Sequence, residues 1–254
     1  MYLTDQASRG RSPWYPTTGT ITVIGTSDIE QVFTATSEHS LWPQSKLHTQ
    51  WPGSGKVGDT IFDAFYASQV QLLSDIYISE AQNTKAYTAL VDRVGGAHII
   101  THSQAGTYGW RIGDARPRLV KSIVALEPAG PPFEGQFPFP RPDRPWGITW
   151  LDVTYEPSAG PNATLLDKVT IPAKDANHTD CIMQTEPAKK LKNLANVPTL
   201  LVTGEASYHA PYDYCTALYM RQAGVQIEYA DLGAEGIHGN GLWRRTISRL
   251  HNEC

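Results

Sequence analysis

Apolar residues fall in two different periods along the chain, and the change between them locates the elements. After residue 58, Ile61, Phe62, Phe65, Tyr66, Val70 and Leu73 recur at helical spacing. Asp59 or Thr60 can satisfy the free amides of the first turn, so a helix is predicted from Gly58-Asp59-Thr60. A second helical stretch runs from Ser79 to Val94 and stops at Gly95-Gly96, where glycine accepts a left-handed cap. Then come short, continuous, β-branched runs: Ala97–Thr101, Val120–Leu126, Pro198–Thr203 and Val225–Tyr229. Helical patterns separate the first pair and the last pair. Strands alternating with helices predict an α/β fold, with a mostly parallel sheet flanked by helices. Residues 1–58 read as turns and loops.

A compositional shift interrupts this alternation. Nine of the 18 prolines lie between Pro128 and Pro161, together with Phe133, Phe137, Phe139, Trp146, Trp150 and Tyr155. Proline excludes a long helix there, and the aromatic content is too high for a solvated linker. The segment reads as an inserted cap over a pocket or, on composition alone equally well, as a meandering surface loop with its own small cluster.

Composition narrows the partners. Charged residues make up 18% of the chain and the net charge is −4, which supplies no basic face for nucleic acid. No run of about 18 apolar residues exists, so no membrane-spanning helix is expected. The N-terminus shows no charged and apolar leader, which gives a cytoplasmic location by default. Asn162-Ala-Thr164 and Asn177-His-Thr179 match glycosylation acceptors but carry little weight without a leader. Cys181, Cys215 and Cys254 are odd in number and far apart, so no disulfide framework is expected. Oligomeric state is not legible.

The strongest chemical signal is Thr101-His102-Ser103-Gln104-Ala105-Gly106, between a predicted strand and a predicted helix. A serine on such a turn is lifted above the sheet edge as a nucleophile elbow. The turn favours small residues two before and two after the serine; Thr101 and Ala105 stand where glycine is usual. A serine hydroxyl needs a base, and His238 in Gly236-Ile237-His238-Gly239-Asn240 follows the last predicted strand. The carboxylate that would orient the histidine is Glu127, at a strand end before Pro128, with Glu205 as the alternative acid and Asp213 third. The Gly53–Gly58 stretch spells G-x-G-x-x-G, but no strand precedes it, so no dinucleotide site is expected. His98 and His102 do not share a helical face, and neither a metal nor a cofactor is expected.

Together these motifs resemble the α/β-hydrolase superfamily, in particular a small bacterial and fungal branch typified by the bacterial esterase 713. Asp5-Gln6-Ala7-Ser8-Arg9-Gly10-Arg11-Ser12 matches that branch's early Asp-Gln-x-x-Arg-Gly-Arg-Ser segment, so the likeness runs along nearly the whole chain. It implies a serine hydrolase of a carboxylic ester, with a Ser103–His238–Glu127 triad and the Gln104 amide as one oxyanion donor. The proline- and aromatic-rich cap points to a small apolar or aromatic ester. The resemblance also implies one domain over residues 1–254, with a cap insertion at about 128–193. A strand and glycine loop would precede Asp5, leaving the front incomplete, and a longer helix would follow Gly241. Two other classes fit the same motifs: a ligand-binding homologue without turnover, and a non-hydrolytic enzyme such as a cyclase or isomerase.

Overall fold

A computed structural model describes residues 1–135, 138–139 and 141–242. Phe137, the closing amphipathic stretch expected after Gly241 and Cys254 lie outside those residues. Short helical turns at Thr26–Ile29, Thr36–His39 and Pro43–Leu47 occupy the stretch read as turns and loops, and the first longer helix, α1 (Thr60–Ala67), starts where the sequence places it. Asp59 accepts from the amides of Ile61 at 2.9 Å and Phe62 at 3.0 Å. It ends earlier than the periodicity predicts, because Leu72–Leu73 pairs antiparallel with Ile21–Thr22 instead of continuing the helix. Helix α2 (Ile76–Val94) begins three residues before the predicted start, at the side-chain cap of Asp75, and closes on Gly95 at φ 78°.

Strand β1 (Ala97–His102) leads into α3 (Ala105–Ala115), then β2 (Val120–Leu126). A small antiparallel ribbon follows, made of β3 (Lys168–Ile171) and β4 (Cys181–Gln184). The alternation resumes with β5 (Thr199–Thr203), α4 (Asp213–Gln222) and β6 (Ile227–Asp231). The main sheet has the order β6-β5-β2-β1 with every pairing parallel. This is the α/β architecture expected, with helices packed along the sheet. Among the described residues β1 is an edge strand, and Ile100 on it is exposed.

The central core joins Trp110 and Ile112 of α3, Ile123 and Ala125 of β2, Leu201 of β5, and Tyr219 and Met220 of α4. Phe133, Ile148 and Val153, from the proline-rich segment, belong to the same cluster. That segment is therefore bound into the domain core. A second cluster gathers Ile29, Phe33, Trp42 and Phe62 around Tyr208 and Tyr212, tying the irregular first 60 residues to the start of α4.

The cysteine expectation is corrected. Cys181 on β4 and Cys215 on α4 form a disulfide across 34 residues. Separation in sequence does not keep them apart, because α4 packs against β4. Closing a loop of that size restricts the unfolded chain by about 3–4 kcal/mol in the chain-entropy account. Cys215→Ser, or reduction, should therefore lower the thermal midpoint by roughly 10 °C for a domain of this size. Calorimetry with and without reductant checks this; an unchanged midpoint would show that the bond adds nothing.

Candidate active site

Two strand ends define the site. β1 and β2 are in register through His102↔Leu126, so Ser103 and Glu127 are the next residues on neighbouring parallel strands. Both leave the sheet through the left-handed region, Ser103 at φ 54° and Glu127 at φ 47°. Each turn is fixed by the backbone. The Ser103 amide donates to Leu126 O at 3.0 Å, its carbonyl accepts from Gly106 at 2.9 Å and from Ala129 at 3.0 Å, and the Glu127 amide donates to Val202 O at 2.9 Å.

Glycine is required close by. A Cβ on Gly106 would lie 2.4 Å from Pro128 Cβ, and one on Gly109 would lie 2.8 Å from Thr101 Cγ2. The close approach of strand and helix is thus absorbed within α3 at positions 106 and 109. That is why Thr101 is tolerated where glycine is usual. Gly106→Ala should cost about 2 kcal/mol by overpacking, measured by urea denaturation; full stability in the variant would mean the approach is slack.

Glu127 is fully buried. Its Oε1 accepts from the Gly204 amide at 2.7 Å, and Oε2 lies 4.0 Å from His102 Nε2. Ser103 shares a hydrogen bond with the hydroxyl of Tyr208, whose pKa is pushed up chiefly by burial. Gln104, which precedes α3, accepts at Oε1 from Arg9 Nη2 at 2.6 Å. Ser103, His102 and Gln104 line one cavity of about 760 Å³, together with Tyr208, His209 and Tyr212.

The structure brings Ser103 and Glu127 to adjacent strand ends, but it places His238 elsewhere. The His238 side chain is 66% exposed and does not line the cavity; its Nδ1 is 2.9 Å from Glu205 Oε1. Glu205 Oε2 also accepts from the Gly239 amide at 2.7 Å. The alternative acid is therefore the one that holds the predicted histidine here.

Sequence reasoning passed over His209 altogether and ranked Asp213 third among the acids. His209 Nδ1 lies 3.2 Å from Asp213 Oδ1, and both residues are buried. His209 Nε2 is buried without a hydrogen-bond partner among the described residues. Asp213 also accepts from Thr203 Oγ1 at 2.6 Å. Burial raises its pKa, His209 and Thr203 oppose the rise, and the nearby Glu127 adds to it. The available signal was His209 four residues before Asp213 at a helix start. Among the described residues no cluster of three or more His, Cys, Asp or Glu could hold a metal ion, and no helix is long and apolar enough to cross a membrane.

With this geometry in view, one sequence similarity stands out. The chain is 67% identical over 241 residues to a fungal protein described as "Probable secreted lipase phiG" (Fungal sp., strain ATCC 74256). The relative is described as a probable secreted lipase. It takes in 95% of this chain but 66% of that protein, so the chain spans just under two thirds of its relative's length. No protein-family model matches. Among solved structures, a novel bacterial esterase overlaps 75% of this chain and 46% of its own, at 14% identity and a TM-score of 0.42. The Francisella virulence factor BioJ overlaps 68% of this chain and 54% of its own, at 10% identity and a TM-score of 0.35. The cytoplasmic default is corrected by the fungal relative, whose description points to an extracellular setting. The Cys181–Cys215 bond accords with an oxidising compartment.

Proposed function

We propose that the protein is a serine hydrolase of carboxylic esters, with Ser103 as the nucleophile. The observation that carries this reading is the left-handed Ser103, set between a parallel strand and a helix at the wall of a large cavity. Its relative's description as a lipase supports the same chemistry. Ser103 Oγ adds to the ester carbonyl and loses its proton to a histidine. The bond to the alcohol oxygen breaks, and the alcohol leaves with that proton. Water then adds to the acyl-enzyme by the same route and releases the acid. The Gln104 amide, at the start of α3, serves as one oxyanion donor. Ile24, Ile29, Phe33 and Tyr66 offer an apolar wall for the organic part of a small ester.

In the first reading His238 is the base and Glu127 the acid. Nδ1 of His238 rests on Glu205 in the structure, so under this reading the ring exchanges Glu205 for Glu127. The 232–242 loop must then carry the ring inward, toward the strand ends where Glu127 is buried. A second reading is favoured by the unpartnered Nε2 of His209 in the cavity that Ser103 lines. There Asp213 is the orienting acid.

A fluorophosphonate probe should label the full chain and fail to label Ser103→Ala. Under the first reading His238→Gln removes labelling and His209→Gln keeps it; the second predicts the opposite. A folded chain that never labels would sink the hydrolase assignment and favour a binding homologue. Turnover also separates the acids. Glu127→Gln is expected to lower kcat by roughly a hundredfold or more, as when an orienting carboxylate is neutralised, and Glu205→Gln by far less. The reverse order in steady-state kinetics would transfer the role to Glu205.

A further inference from the structure

The wall of the Ser103 cavity has an unbalanced charge. Arg9, Arg141 and Arg144 all line it, and no aspartate or glutamate does among the described residues. None of the three guanidiniums has a carboxylate within 4 Å there. Arg9 and Arg141 are half-buried, and Arg144 is withdrawn from water. Arg144 is 2% exposed. It donates to the Pro131 carbonyl and lies 5.1 Å from the Trp150 ring centroid, while its buried Nε has no hydrogen-bond partner. Burial lowers the pKa of all three groups, that of Arg144 to about 10.

Glu80, Asp143 and Glu134 act on Arg144 only from beyond salt-bridge distance, and a guanidinium kept out of water without a close counter-charge is costly. An anion entering the cavity would supply that close counter-charge. Two of the three arginines are also tied to the residues around the nucleophile. Arg9 donates to Gln104, the residue after Ser103. Arg141 lies near Tyr208, whose hydroxyl is bonded to Ser103. Ile24, Ile29 and Phe33 give the same cavity an apolar part.

We infer that the cavity selects esters that carry a carboxylate of their own, the arginines receiving that carboxylate while the ester group meets Ser103. This rests on the reading of Ser103 as the nucleophile and replaces a purely apolar substrate with an amphipathic anionic one. A planar carboxylate suits the fork of donors that a guanidinium presents.

The test pairs mono-p-nitrophenyl glutarate with the neutral p-nitrophenyl hexanoate. The full chain should favour the anionic ester in kcat/KM by about tenfold or more, the scale of one charge-assisted hydrogen bond. Arg144→Gln should collapse that ratio toward unity. Because Arg144 is buried and its variant can fail to fold, Arg9→Gln and Arg141→Gln are measured beside it, and each should reduce the ratio. A preference for the neutral ester, or a ratio unmoved in every folded variant, overturns the inference. Binding keeps the two proposals apart. Ser103→Ala should bind monomethyl glutarate more tightly than methyl hexanoate by isothermal titration. If it does so while the unmodified chain hydrolyses neither ester, the nucleophile reading fails and the anion site stands; equal affinities for the two ligands overturn the anion site.

Discussion

Two neighbouring parallel strands end in the same left-handed turn, and most of the site depends on that constraint. A residue other than glycine pays a conformational penalty in this region, of order 1 kcal/mol or more. The fold imposes it twice in register, at Ser103 and Glu127. What holds the turns is backbone: Ser103 with Leu126, Gly106 and Ala129, and Glu127 with Val202. The side chains are therefore aimed by the sheet itself. Gly106 passes Pro128 with no room for a methyl group, and Gly204 meets the Glu127 carboxylate with its amide. A serine hydroxyl and a fully buried carboxylate are thus placed at adjacent strand ends by local hydrogen bonds, before any loop joins them.

The cavity above those ends is assembled from distant parts of the chain. The first 80 residues contribute Ile24, Ile29 and Phe33, the proline-rich segment contributes Arg141, Arg144 and Trp150, and the start of α4 contributes Tyr208 and His209. The proline-rich segment has two roles at once. Phe133, Ile148 and Val153 anchor it in the central core, while Arg141 and Arg144 belong to the cavity wall. The anchoring explains how a guanidinium such as that of Arg144 can be kept from reaching solvent.

The sheet was legible in the sequence because its strands are unbroken β-branched runs and its helices carry local stop and start residues. Asp59 and Gly95 act where they were expected to, through interactions reaching no more than four residues along the chain. The extension of α2 back to Ile76 and the shift of the last strand to Ile227–Asp231 are changes of two or three residues at element ends. The turn at Ser103 was readable for the same local reason, but the space it needs was not. The relief comes from Gly109 against Thr101, a contact between a strand and the next turn of the following helix. Histidine partners lay further out of reach. Whether His238 meets Glu127 or Glu205 is decided by how two loops pack, and a carboxylate after one strand looks like a carboxylate after the next. The arginines escaped for a related reason. Nothing in the sequence marks Arg144 out, and only the fold shows it enclosed. The disulfide was missed because counting cysteines excludes a framework and says nothing of a single bridge.

The β3–β4 ribbon shows what that bridge means for the molecule in a crowd. A two-stranded ribbon is marginal alone, and every residue of β3 is exposed. Unpinned, its strands could open and pair with those of another molecule, the usual hazard of a bare strand edge. Cys181 binds β4 covalently to α4, which is seated in the core through Tyr219 and Met220. The ribbon cannot then leave its own sheet's neighbourhood to exchange with a second chain. One covalent bond thus keeps each molecule's strands its own.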